Sequence, residues 1–300
     1  MSDKNMTNPV EISIPVPWGH IAGKAWGNSS HQRVLAIHGK QDNCGAFDRL
    51  IKLLKGSYYI IAIDLPGHGF SSHFPPGLYI HMINYVVAIV DVIKHLKWQR
   101  FHLLTHSLGG QIGMFLNALV PHLIDKFIVI DHIAPSYTED ESAVDYFKQN
   151  LDDFFKMEEK MKHGKPPVYS YQVALEKLTN RESVLTNDAA KIILERSLKK
   201  IDGGFTFCMD QRIKLHSFPS LTVTMWNNVL RKLNCPTLYI FSSERLSVYE
   251  IMFHSSFKLI KQKPNVTIKT AHGNHDLHQN HPERIAPLID EFFSKERSKL

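Results

Sequence analysis

The sequence predicts an α/β architecture: a mostly parallel sheet covered by helices on both faces, with a helical insertion. Three observations carry this. Short apolar runs of strand length alternate with segments of helical period through residues 1–134 and again through 235–300. Between them, over residues 135–234, strand-like runs become scarce and charged, helix-forming stretches take over. Finally, His38, Ser107 and Asp131 all fall where predicted strands end. Open parallel sheets carry their active groups at those ends.

The elements follow in order. Residues 10–26 alternate and are punctuated by Pro17-Trp18-Gly19, which reads as a β-hairpin. Residues 34–37 are a compact buried strand running into the polar turn from His38 to Asn43, and a helix follows over 46–55. Another buried strand, 58–63, ends at Asp64-Leu65-Pro66-Gly67-His68-Gly69, where two glycines mark tight turning. A helix over 80–96 precedes the apolar strand 101–104, the turn Thr105-His106-Ser107-Leu108-Gly109-Gly110 and a second helical segment. The strand 127–131 ends in a carboxylate. The insertion offers helical stretches at 141–163, 171–179 and 188–200, broken up by Gly203-Gly204 and Pro219. Strands at 236–241 and 266–268 resume the alternation, and a last helix spans 282–296 with Pro282 at its first turn. The core is therefore expected at 1–134 and 235–300, with 135–234 as a helical lid over the strand ends. A lid there excludes water and shapes a pocket.

Composition narrows the classes. The chain has 300 residues, 43% apolar and 21% charged, long enough to bury a sizeable core. Its formal charge of +6 is spread through many segments without a long Lys/Arg block, so nucleic-acid binding is not expected. No apolar run reaches the roughly 20 residues of a membrane span, and the first residues lack a signal-peptide apolar region. Cys44, Cys208 and Cys235 are odd in number and widely spaced, which suggests reduced thiols in an intracellular compartment.

The chemistry centres on Ser107. A serine on a sharp strand-to-helix turn has its hydroxyl lifted clear of the sheet. It also lies at a helix N-terminus, where main-chain N–H groups favour developing negative charge. The turn is tight, so residues two positions away should be small. Gly109 meets this; Thr105, on the other side, is β-branched and is expected to crowd it. Thr105→Gly should then relieve crowding and leave activity level or higher. The competing reading of Ser107 is a helix cap.

The order of a His-Gly turn, Asp64 to Ser71, the serine turn, a lid and Gly273-Asn274-His275 resembles the α/β-hydrolase superfamily over nearly the whole chain. Closer phrases are Pro15-Val16-Pro17-Trp18-Gly19-His20-Ile21-Ala22, Asp42-Asn43 followed by Phe47-Asp48-Arg49-Leu50-Ile51, and His68-Gly69 followed by Ser71-Ser72-His73. With Leu96-Lys97-Trp98 and Asp210-Gln211-Arg212, these resemble the animal serine hydrolase-like, Kraken-type branch. The resemblance implies the α/β-hydrolase fold and a serine hydrolase with a peroxisomal or vesicular location.

It also implies site residues. Ser107 is the expected nucleophile, and His275, after the last predicted strand, the expected base. The acid has two candidates. Asp131 ends the strand after the serine helix, and Glu244 lies in the loop Ser242-Ser243-Glu244-Arg245 where many relatives carry theirs; Asp131 is preferred. The oxyanion hole is expected from the N–H groups of Leu108 and Lys40, with His38 bracing the loop. The Lys40 side chain has two open destinations, the pocket or solvent. His272, His275, His278 and His281 are a rival metal set, but their spacing drifts around a helix and no carboxylate or cysteine pattern accompanies them. Neither metal nor cofactor is expected.

The resulting expectation is a serine hydrolase acting on a small or medium carboxylic ester or thioester through an acyl-enzyme. A catalytically weak α/β-hydrolase-fold binding protein is the second reading, supported by Thr105 and the two candidate acids. The final Ser298-Lys299-Leu300 matches the address read by the peroxisomal import receptor, so that receptor is the expected partner and the peroxisome the expected location.

Overall fold

The computed structural model describes residues 8–134, 143–180, 184–215 and 221–295. The terminal Ser298-Lys299-Leu300 and the first seven residues lie outside that set. The strands are β1 (Val10–Val16), β2 (Gly19–Gly27), β3 (Gln32–Ile37), β4 (Tyr58–Ile63), β5 (Phe101–His106), β6 (Ile124–Ile130), β7 (Leu198–Ile201), β8 (Gly204–Phe207), β9 (Thr237–Ser242) and β10 (Val266–Ala271). Eight of them form one sheet in the order β1-β2-β4-β3-β5-β6-β9-β10. The β1–β2 hairpin is antiparallel, as is the β2–β4 pair. Every pair from β4 to β10 is parallel.

The central strands are largely apolar because both faces are covered. Their alternation divides two cores. Leu35, Ile37, Leu103, Phe127 and Val129 face one cluster, and Val34, Ala36, Leu104, Ile128 and Ile130 face the other. The helices are α1 (Asp48–Ile51), α2 (Met82–Leu96), α3 (Leu108–Leu119), α4 (Ala143–His163), α5 (Tyr171–Thr179), α6 (Asn187–Ser197), α7 (Val223–Arg231), α8 (Leu246–Met252), α9 (His254–Lys261), α10 (Leu277–Asn280) and α11 (Ala286–Ser294). The first cluster includes Ile89 of α2, Ile112 of α3, Trp226 of α7, Tyr249 of α8 and Ile260 of α9. The second includes Leu50 of α1, Leu277 of α10 and Ile289 of α11. No described helix is long and apolar enough to cross a membrane.

Several elements differ from the sequence expectation. The helix expected over 46–55 is a 3-10 turn, Cys44–Phe47, followed by the short α1; the Asn43 side chain starts it by accepting from the Gly45 N–H at 2.9 Å. The helix expected to reach residue 200 stops at Ser197, because Leu198–Ile201 pairs with Gly204–Phe207. Gly203, at φ 83°, supplies the positive φ that such a turn needs. The glycine pair therefore closes a hairpin. Helix α7 lies within the 135–234 span yet packs on α3 and α9, and its Trp226 indole donates to the Ile133 carbonyl at 3.0 Å. The last helix ends early, where the Lys126 ammonium donates to the Phe292 and Phe293 carbonyls at 3.1 and 2.7 Å. A cation there complements the negative end of the helix dipole.

Helices α5 and α6 join Ala46 in a third apolar cluster. A buried guanidinium ties this layer to the sheet. Arg196 of α6 grips the Glu11 carboxylate at 2.6 and 2.8 Å and the Asp64 carboxylate at 2.8 and 3.1 Å. Burial pushes the Asp64 carboxyl up, but the Arg196 charge and the N–H groups of Cys44 and Phe70 outweigh it and hold it below its ordinary range.

Candidate active site

Ser107 joins β5 to α3 at φ 49° and ψ −114°, far from any comfortable region for an L-residue. Such a backbone costs roughly 1–3 kcal/mol and must be held by its surroundings. The Ser107 N–H donates to the Ile130 carbonyl at 3.2 Å, and the Gly110 N–H returns to the Ser107 carbonyl at 2.8 Å. Its side chain makes no capping bond to α3, so the helix-cap reading does not hold. Gly109 permits the approach of α3 to β3. A Cβ there would stand 2.1 Å from the Ile37 carbonyl oxygen.

Thr105 is not crowded. Its hydroxyl donates to the Ile128 carbonyl at 2.7 Å, and its methyl faces Gly113, where an added Cβ would sit 3.3 Å away. The room that the strand side lacks is provided from the helix side. The crowding that Thr105→Gly was expected to relieve is therefore absent, and the substitution should lower stability. Losing a buried hydrogen bond and placing glycine in a strand should cost about 2 kcal/mol. Denaturant unfolding measures it; an unchanged midpoint would mean that relief of crowding offsets the lost bond.

Asp131 ends β6 in another strained conformation, φ 48°, and is fully buried. One carboxylate oxygen accepts from the Ser242 N–H at 2.7 Å. The other stands 2.7 Å from Nδ1 of His275. A carboxylate only accepts, so this Nδ1 carries the hydrogen and leaves the Nε2 lone pair free. The Tyr249 hydroxyl donates to the Asp131 carbonyl at 2.7 Å. Glu244 is exposed, and its carboxylate comes within bonding reach of no histidine among the described residues. Its neighbour Arg245 instead points back, its Nε 4.0 Å from the Asp131 carboxylate.

The turn after β3 is braced as expected. His38 Nδ1–H donates to the Gly39 carbonyl at 2.7 Å, and its Nε2 accepts from the Leu65 N–H at 2.9 Å. His68 accepts from the Gln41 N–H at 3.1 Å, and the two rings meet edge-on at 4.9 Å. The N–H groups of Lys40 and Leu108 donate to no other group among the described residues. The Lys40 ammonium donates to the Leu215 carbonyl at 3.1 Å, within the insertion.

Burial pushes the imidazoles of His38 and His68 down, to about 4 and about 3. Each therefore stays neutral when folded and takes up a proton on unfolding below about pH 6.5. The stability they support is complete above that pH and is lost as pH falls towards the folded values. The two together should give a slope approaching about 2.7 kcal/mol per pH unit between roughly pH 6 and 4. Urea melts across pH 8 to 5 would record it, and a flat profile would contradict the buried neutral pair.

Asp42 and His106, to which the sequence reading gave no role, lie close to His278 of the rival metal set, behind His275. His106, just before Ser107, is buried, and its Nε2–H donates to the His275 carbonyl at 2.9 Å. Its ring lies 4.6 Å from that of His275 and 4.0 Å from that of His278. Its Nδ1 is 3.7 Å from a carboxylate oxygen of Asp42. The signal that could have found them is a polar residue inside an otherwise apolar strand or buried turn. The four-histidine set does not assemble: His275 binds Asp131, His272 contacts Ser243, and His281 contacts Glu283. A surface cleft lined by Lys55, Tyr58 and Asp290 opens at the opposite end of the parallel strands, where β4 begins.

A family model described as alpha/beta hydrolase fold matches residues 32–276. The chain is 30% identical over 285 residues to a serine hydrolase-like protein of Danio rerio, covering 94% of this chain and 87% of that protein. It is 31% identical over 296 residues to serine hydrolase-like protein 2 of Homo sapiens, covering 94% and 93%. A solved structure of a hypothetical protein from Pseudomonas aeruginosa matches with a TM-score of 0.84 at 27% identity, covering 94% of this chain and 97% of that one. The thioesterase domain from the curacin biosynthetic pathway shares the fold, with a TM-score of 0.78 at 22% identity over 94% of this chain and 99% of that one.

Proposed function

The chain belongs to the α/β-hydrolase fold family, and from that footing we propose that it is a serine hydrolase of small or medium carboxylic esters or thioesters. The observation that carries the reading is the His275–Asp131 bond of 2.7 Å, taken with the strained, uncapped Ser107 at the end of β5. In this reading His275 Nε2 takes the proton of the Ser107 hydroxyl as the oxygen attacks the acyl carbon. The N–H groups of Leu108 and Lys40 receive the oxyanion. Asp131 stabilises the imidazolium and fixes its tautomer, while the Ser242 N–H and Tyr249 hold Asp131 itself. Collapse expels the alcohol or thiol, which takes the proton from His275. His275 then takes a proton from water as it attacks the acyl carbon, and returns it to Ser107 Oγ as the ester bond breaks and the carboxylic acid leaves.

Helices α4 to α6 and the β7–β8 hairpin are read as the lid, with Lys40 touching its edge at Leu215. Where Leu300 is the free carboxyl terminus, Ser298-Lys299-Leu300 adds import into peroxisomes to the reading, and fatty-acyl esters or acyl-CoA thioesters become the first substrates to try. Labelling with a fluorophosphonate tests the central point, because only an activated serine reacts. A folded protein that stays unlabelled would favour the binding-protein reading.

A further inference from the structure

We propose that Asp42, His106 and His278 form a buried site for one divalent transition-metal ion of the zinc type, which ties together the three loops around Ser107. The inference does not depend on the hydrolase reading. Each ligand comes from a different loop: Asp42 from the turn after β3, His106 from the end of β5, and His278 from α10, just after His275. All three are at most 4% exposed. Two imidazoles and a carboxylate are a donor set that first-row ions such as zinc accept.

The geometry is close to what an ion needs. The three donor atoms lie within 4.8 Å of one another, and the His106–Asp42 pair is already at 3.7 Å. Tetrahedral zinc with bonds near 2.1 Å calls for about 3.4 Å between donors. A contraction of the order of 1 Å would complete the set.

The protons point the same way. His106 Nε2 faces a carbonyl, which only accepts, so that nitrogen must carry hydrogen. In the neutral ring its Nδ1 lone pair then faces the Asp42 carboxylate, another acceptor. A cation between them resolves that opposition. A metal-binding histidine characteristically donates its second N–H to a carbonyl or carboxylate, and His106 does this to the His275 carbonyl. The outer support extends to the carboxylate, since the Gln279 amide donates to Asp42 at 3.3 Å and to Asp276 at 3.0 Å. The Gln279 amide oxygen is buried without a hydrogen-bond partner among the described residues. Gly39 keeps the adjacent space open. A Cβ there would stand 2.6 Å from His106 Nδ1 and 3.2 Å from the Asp42 carboxylate.

Such an ion lies behind His275 and makes no contact with substrate. Its effect is to lock the turn after β3, the serine turn and the histidine loop to one another. The test uses untagged full-length protein expressed in zinc-supplemented medium and passed through a chelating column, followed by elemental analysis. One zinc per chain is expected. Protein from cobalt medium should show the intense visible bands of four-coordinate Co²⁺. Asp42→Asn and His278→Ala, checked for folding by circular dichroism, should lose metal and bands alike, and zinc should raise the melting temperature of the parent chain only. Parent protein without bound first-row metal above background, or variants that retain it, would overturn the proposal. Either result stands apart from fluorophosphonate labelling, so the two readings fail separately.

Discussion

Ser107→Ala should abolish fluorophosphonate labelling and lower ester turnover by a factor on the order of 10⁴–10⁶. The fold should survive, because Ser107 Oγ makes no capping bond whose loss would weaken α3. Alanine is no worse than serine at φ 49°, so the strained backbone stays as costly as before. His275→Ala should give a loss of similar size. The double variant should be little worse than either, since the two act in one relay. Independent, multiplying losses would show that Ser107 and His275 do not share a proton. Full turnover by Ser107→Ala would move the nucleophile elsewhere.

Asp131→Asn should be nearly as severe, lowering the rate by about 10⁴. The geometry explains why so small a change matters. Asparagine tolerates positive φ, so the backbone at residue 131 need not move. Its amide oxygen can still accept from the Ser242 N–H, which leaves the NH₂ facing His275. Two donors cannot face each other, so the imidazole must shift its hydrogen to Nε2. The lone pair that would receive the Ser107 proton is then gone. Glu244→Gln should change the rate by no more than a few-fold, because that carboxylate is exposed and pairs with no histidine among the described residues. The opposite ranking would return the acid to the loop after β9.

The strands from β3 to β6 were legible because burial on both faces makes them nearly uninterrupted apolar runs. Segments whose structure depends on partners were not. Leu198-Lys199-Lys200-Ile201 has no strand signal of its own and becomes β7 only against β8. Helix α7 contains Val, Thr and two Asn, poor helix formers, and rests on its Thr222 cap and the burial of Trp226. Within the site, strand ends pointed to Ser107, Asp131 and His38, since position along the sheet can be counted from sequence. The fit of Thr105 could not be counted, because it depends on Gly113 and on Ile128 across the strand pair. Arg245, in the loop where many relatives carry their acid, faces the Asp131 carboxylate at the end of the neighbouring strand. Sequence order conceals that exchange, because β6 and β9 become neighbours only once the insertion has looped out.

That same adjacency has a meaning in time. Domains build from the N-terminus as the ribosome delivers the chain. Strands β3 to β6 and the serine turn are complete before the insertion is even synthesised. At that stage Asp131 lacks the Ile240 carbonyl that receives its N–H and the Ser242 N–H that steadies its carboxylate. His275 emerges later still, after β10. A nascent chain would therefore carry a formed serine turn with no base beside it. On the proposed reading, reactivity would arrive in one step, once the histidine loop after β10 is in place, and a half-made molecule would be inert towards esters.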